Sequence, residues 1–138
     1  MRRLVKTMAI GLSVCAIGSA ILAQDVPLGA TEFEARCAVC HGKTGAGDGI
    51  VGELFDRKPK NLTLLAKENG GVFPFDAVYQ SIDGRREIAG HGGSKMPIWG
   101  DYFMAESLKN DFGDDNAYLL VQGRVLSLVY FLQSIQAK

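Results

Sequence analysis

Thr31-Glu32-Phe33-Glu34-Ala35-Arg36-Cys37-Ala38-Val39-Cys40-His41 runs a helical start into the spacing C-x-x-C-H. On a helix Cys37 and Cys40, three apart, share a face, and His41, four after Cys37, lies beside them. Two thiols so placed can add to the vinyl groups of a porphyrin while the imidazole gives a nitrogen to the iron from one side. The motif therefore predicts one covalently attached haem c, with Cys37 and Cys40 as the tethers and His41 as an iron ligand. Thr31 is predicted to cap this helix with Glu34 as its capping-box partner, Phe33 to share the cysteine face, and Gly42 to end it.

A bare C-x-x-C also serves thioredoxin-like redox sites and half of many zinc sites. A zinc site needs about four ligands, and beyond its leading segment the chain offers Cys37, Cys40, His41 and His91 as soft donors. A redox dithiol would follow a strand in a βαβ setting, whereas Thr31 to Cys40 reads as helix. Haem is the better match to the pentapeptide and its surroundings.

The chain has 138 residues. Arg2, Arg3 and Lys6 precede an uncharged apolar stretch from Met8 to Leu22, with Ala20 and Ala23 as small residues for cleavage. Residues 1–23 thus read as a signal peptide, with retention as a membrane anchor the alternative; the stretch is short and Gly-rich for a span. Lipidation at Cys15 is disfavoured by the bulk of Val14. Export to the periplasm is the expectation, with residues 24–138 as one domain. All fifteen acidic residues lie beyond the leader, which holds three of the fifteen basic ones, so the exported part carries an excess of three negative charges. No basic run opposes that balance, which argues against nucleic acid. Two cysteines remain after the leader, both in the motif. With no disulfides to staple a small domain, a covalent haem would supply much of its core.

Downstream, Gly42 to Gly52 holds five glycines and reads as a loop whose backbone passes close to something bulky. Asn61 can cap a short helix from Leu62 to Lys67, stopped by Gly70 and Gly71. Phe75, Val78, Tyr79 and Ile82 mark an amphipathic helix between Pro74 and Gly84. Gly84 to Gly100 reads as loop, Ala105 to Asn116 as a polar insert, and Asn116 to Ile135 as a last helix with Val125, Leu128, Phe131, Leu132 and Ile135 on one face and Gly123 as a candidate break. No repeat and no convincing strand pair is present, so the fold class is all-α, with about four to five helices.

An iron held by His41 needs a second ligand, and His91, Met96 and Met104 are the serious donors. Met96 is assigned, because Pro97 stiffens the loop that presents it; His91 would give a bis-histidine iron of lower potential, and Met104 lies among polar residues. A metal-bound histidine usually donates its other ring N–H to a fixed acceptor, and the Pro59 carbonyl is the candidate.

These features resemble the class I monohaem cytochromes c. C-x-x-C-H lies on the first helix of the exported chain, Pro59-Lys60-Asn61-Leu62 is similar to the segment supporting the proximal histidine, and Lys95-Met96-Pro97 is similar to the methionine loop. Cytochromes of the four-helix c-prime type instead carry the motif near the end of the chain. The resemblance runs from about residue 29 onward. It implies a small cytochrome c fold in which a terminal helix bearing Leu128, Phe131 and Leu132 crosses the first helix at Gly29 and Phe33. Ile82-Asp83-Gly84-Arg85-Arg86, His91 and Met96-Pro97-Ile98-Trp99-Gly100 further resemble a bacterial subset with periplasmic or membrane-associated members.

The resemblance and a six-coordinate iron between His41 and Met96 imply one-electron transfer between redox partner proteins, with no open position for a substrate, so that the protein is a carrier and not an enzyme. Two alternatives stand: a haem subunit of a dehydrogenase or oxidase complex, docked through Tyr102 and Phe103 and the insert, with peripheral association with a membrane respiratory complex as one form of it; and a ligand-binding or peroxidatic haem protein in which Met96 leaves the iron. Lys43 and Lys95 flank the ligand segments and would steer an acidic partner.

Overall fold

A helix start with small and apolar residues at Pro27, Gly29 and Ala30 leads directly into the motif, and the computed structural model, which describes residues 27–54, 58–84, 96–110 and 114–138, carries both on one helix. This helix, α1, has three successive parts: α-helical Pro27–Glu32, a π-turn Phe33–Cys37 and α-helical Ala38–His41. Thr31 is inside it and not at its cap; its hydroxyl donates to the Pro27 carbonyl at 2.9 Å. The helix already runs at Pro27, the first described residue. Gly42 ends α1 as expected, with φ 78° and its N–H on the Ala38 carbonyl.

Helix α2 opens as a 3₁₀ turn, Leu62–Leu64, and continues as Leu65–Glu68. Its cap is Asn61, whose side-chain oxygen accepts from the Thr63 N–H at 2.9 Å. Helix α3 spans Phe75–Asp83, from Pro74 to a left-handed Gly84. Helices α4, Trp99–Lys109, and α5, Asp114–Ser134, complete the fold, with a separate 3₁₀ turn at Ile50–Leu54. No strand occurs among the described residues, so the chain is all-α.

Three expectations give way. The stretch read as loop and polar insert contains α4, because Gly100, Phe103 and Ser107 form a buried stripe along it. Phe103 is fully buried, and of the supposed docking pair only Tyr102 is exposed. Gly123 does not interrupt α5.

The crossing of α1 over α5 centres the core. A Cβ at Gly29 would lie 2.1 Å from the Ser127 carbonyl oxygen and 2.9 Å from the Phe131 Cβ, so the two backbones meet at a spacing only glycine allows. Phe33 then reaches Phe131, ring centroids 5.1 Å apart. Phe33, Phe103, Val125, Leu128 and Val129 are the largest of the fully buried apolar side chains. Gln136 ties the C-terminus to α2, donating to the Leu62 carbonyl and accepting from the Ala66 N–H, each at 2.8 Å.

Polar groups also enter this core. Glu32 and Arg36 of α1, Glu106 of α4 and Arg124 of α5 form one ion-pair cluster, with Arg124 stacked over the Phe103 ring, 4.0 Å from its centroid. The hydrogen bond from Arg124 holds the Glu106 carboxyl below the usual carboxylate range. Desolvation disfavours the Arg124 cation, but its bonds to Glu32 and Glu106 outweigh that and raise its pKa. Ser107 is different: its hydroxyl is buried with no hydrogen-bond partner among the described residues. A buried unmatched hydroxyl costs about 1–3 kcal/mol, and alanine is the better helix former. Ser107→Ala is therefore expected to stabilise the fold by about 1 kcal/mol, read as a higher urea midpoint at unchanged slope; a lower midpoint would show that the hydroxyl is satisfied.

Candidate functional site

Beneath the α1–α5 crossing lies a cavity of about 470 Å³, within the range of cofactor sites. Cys37 and His41 contribute from α1, Leu62 and Leu65 from α2, Val78 and Ile82 from α3, and Leu128 and Leu132 from α5. Met96, partly buried, also lines it. The cavity thus gathers one motif cysteine, the motif histidine and the assigned methionine, although Met96 is 55 residues beyond His41 in sequence. Cys40 is partly buried on the same turn of α1. Met104 packs against the hydrophobic core and is not among the cavity-lining residues. His91, Lys95 and the leader at 1–23 lie outside the described residues; Lys43 is exposed.

His41 is buried, 8 % exposed, and its Nδ1 donates to the Lys60 carbonyl at 3.0 Å. A carbonyl only accepts, so Nδ1 carries the proton and Nε2 the lone pair that a metal needs. The acceptor is Lys60 and not the expected Pro59. The Pro59 carbonyl is turned toward Gly47, where a Cβ would come within 2.4 Å of it. Sequence located the segment but could not assign the residue, because a main-chain acceptor leaves no trace in side-chain identity.

The glycine-rich loop closes under the motif. Gly47 donates its N–H to the His41 carbonyl at 2.8 Å and Gly49 to the Cys40 carbonyl at 3.2 Å. The bulky object that this loop passes is therefore the chain's own motif turn. Lys60 Nζ pairs with Glu68 at 2.6 Å, and both residues line the cavity with Asn69.

Burial, and next the neighbouring Glu32 carboxylate, push the Cys37 thiol up to about 12. A redox dithiol needs the opposite shift. Among the described residues no three His, Cys, Asp or Glu side chains gather as metal ligands. Apolar walls, a thiol at their edge, an imidazole with its tautomer set and a thioether on the same cavity fit a tethered haem, which Cys37, Cys40, His41 and Met96 would hold.

Comparison with known protein families, curated proteins and solved structures finds no match to this chain. Among the described residues no helix is long and apolar enough to cross a membrane.

Proposed function

We propose that the chain is an exported c-type haem protein, similar to the class I monohaem cytochromes c, that passes single electrons between redox partner proteins. When bound, the haem supplies a reversible one-electron change at its iron. The chain's own residues do the rest. Cys37 and Cys40 tether the group, His41 and Met96 bind the iron, and the Lys60 carbonyl keeps the His41 proton on Nδ1 and the imidazole in one orientation. The apolar side chains that α2, α3 and α5 bring to the cavity, Leu62, Leu65, Val78, Ile82, Leu128 and Leu132, would favour the less charged state of the site. With His41 and Met96 both given to the iron, the chain would leave no position for a substrate, which favours a carrier over an enzyme.

The observation that carries this reading is the convergence of Cys37, His41 and Met96 on one apolar cavity with the His41 tautomer fixed. The test is expression of the full chain with a haem c maturation system in a periplasm. The expected product is coloured, heavier by one haem, and keeps its pigment in acidified acetone. A colourless protein, or pigment that extracts, overturns the proposal. Gel filtration of the same native extract separates a free carrier from a subunit fixed in a larger redox complex.

A further inference from the structure

Helix α1 has to face α5 twice: at the crossing, through Gly29 and Phe33, and at the cavity, where His41 shares the lining with Leu128 and Leu132. An unbroken α-helix turns by about 100° per residue. The twelve steps from Gly29 to His41 would leave the histidine about 120° round from the crossing. The π-turn Phe33–Cys37 removes that mismatch. The Ala38 N–H bonds the Phe33 carbonyl, one extra residue is taken up, and both contacts return to one side of α1. Cys37 is the last residue of this turn.

A π-turn is rare and gives up regular helix geometry, so something must hold it. Glu32 immediately precedes it and Arg36 lies within it, and both are gripped from outside α1. Arg124 of α5 forks onto Glu32, with Nε on one carboxylate oxygen at 2.8 Å and a terminal nitrogen on the other at 3.0 Å. One terminal nitrogen of Arg36 donates to both carboxylate oxygens of Glu106 of α4, at 3.0 and 2.8 Å, and Arg124 closes the ring to Glu106 at 2.8 Å. The Arg124 and Glu32 side chains are 13 % and 12 % exposed, unlike the surface pairs whose net worth is small. Cys40 and His41 are held separately, by Gly49, Gly47 and Lys60.

We infer that the Glu32–Arg36–Glu106–Arg124 cluster is a positioning device for haem attachment, holding the π-turn that sets the Cys37 thiol on the cavity while Cys40 and His41 are placed without it. The inference rests on the haem reading above. In the step it serves, the thiol adds across a vinyl double bond: a C–S bond forms, the S–H bond and the vinyl π bond are lost, and the thiol hydrogen ends on the adjacent carbon. No oxidant or reductant is consumed.

The test compares the full-length wild type with Glu106→Gln and Arg124→Lys, each expressed with the maturation system, alkylated, digested and mapped by mass. Glu106 is 45 % exposed, so its variant keeps the question open if Arg124→Lys does not fold. The expected result is at least a several-fold rise in chains tethered through Cys40 alone, with Cys37 alkylated. Equal loss at both cysteines would mark a merely structural role, and a wild-type ratio of tethers would overturn the inference. A wild type that takes up no pigment overturns the haem reading instead, so the two failures are told apart.

Discussion

Gly29→Ala is expected to cost about 3 kcal/mol or more, enough to remove a large share of the 5–15 kcal/mol that holds a typical domain together. The sign itself is informative, because glycine to alanine inside a helix normally stabilises by up to about 1 kcal/mol. The new Cβ would stand 2.1 Å from the Ser127 carbonyl oxygen and 2.7 Å from its carbon. Both are backbone atoms in the body of α5, so no side-chain rotation relieves the contact, and α1 must lift away. Lifting it parts Phe33 from Phe131 and moves the motif turn off the Leu128 and Leu132 wall of the cavity. Gly123→Ala is the matched control: it lies in α5 with nothing within 4 Å of its added carbon. Urea denaturation should move the midpoint down for Gly29→Ala and up for Gly123→Ala. A rise for both would show that the crossing is looser than described.

The paired outcome also marks what a reader of the chain can and cannot see. Helix ends were legible where one residue controls backbone geometry, as at Gly42, Asn61 and Gly84. The α3 pattern of Phe75, Val78, Tyr79 and Ile82 was legible because its period is local. The gathering of Cys37, His41 and Met96 was anticipated from ligand chemistry and from resemblance to a known arrangement. Helix α4 was missed because its buried stripe is made of Gly100, Phe103 and Ser107, only one of which is a large apolar residue. The ion-pair cluster was invisible because its members lie up to 92 positions apart and read singly as solvated charges. The Lys60 acceptor and the π-turn are backbone events, decided by packing between distant segments. Local signals therefore marked the elements other than α4, while the angular match between them had to come from tertiary structure.

Met96→Ala is expected to leave haem attachment intact and to change the iron's chemistry, because the tethers and His41 belong to α1 and the methionine only shares the cavity with them. Removing the thioether should abolish the weak far-red sulfur-to-iron band of the oxidised protein and admit cyanide or carbon monoxide. The reduction potential should fall by on the order of 0.1–0.3 V, inside the roughly 0.8 V span set by axial ligation. Met104→Ala separates ligation from packing. Met104 touches the core without lining the cavity, so its loss should lower stability by about 2 kcal/mol or more and leave the spectrum unchanged. If the spectrum instead follows Met104, the second ligand comes from α4. If neither substitution alters it, the donor is His91 and the iron is bis-histidine, which would place the protein at a lower potential and change which partners it can reduce. Stopped-flow binding of cyanide to the two variants, alongside redox titration, distinguishes these cases.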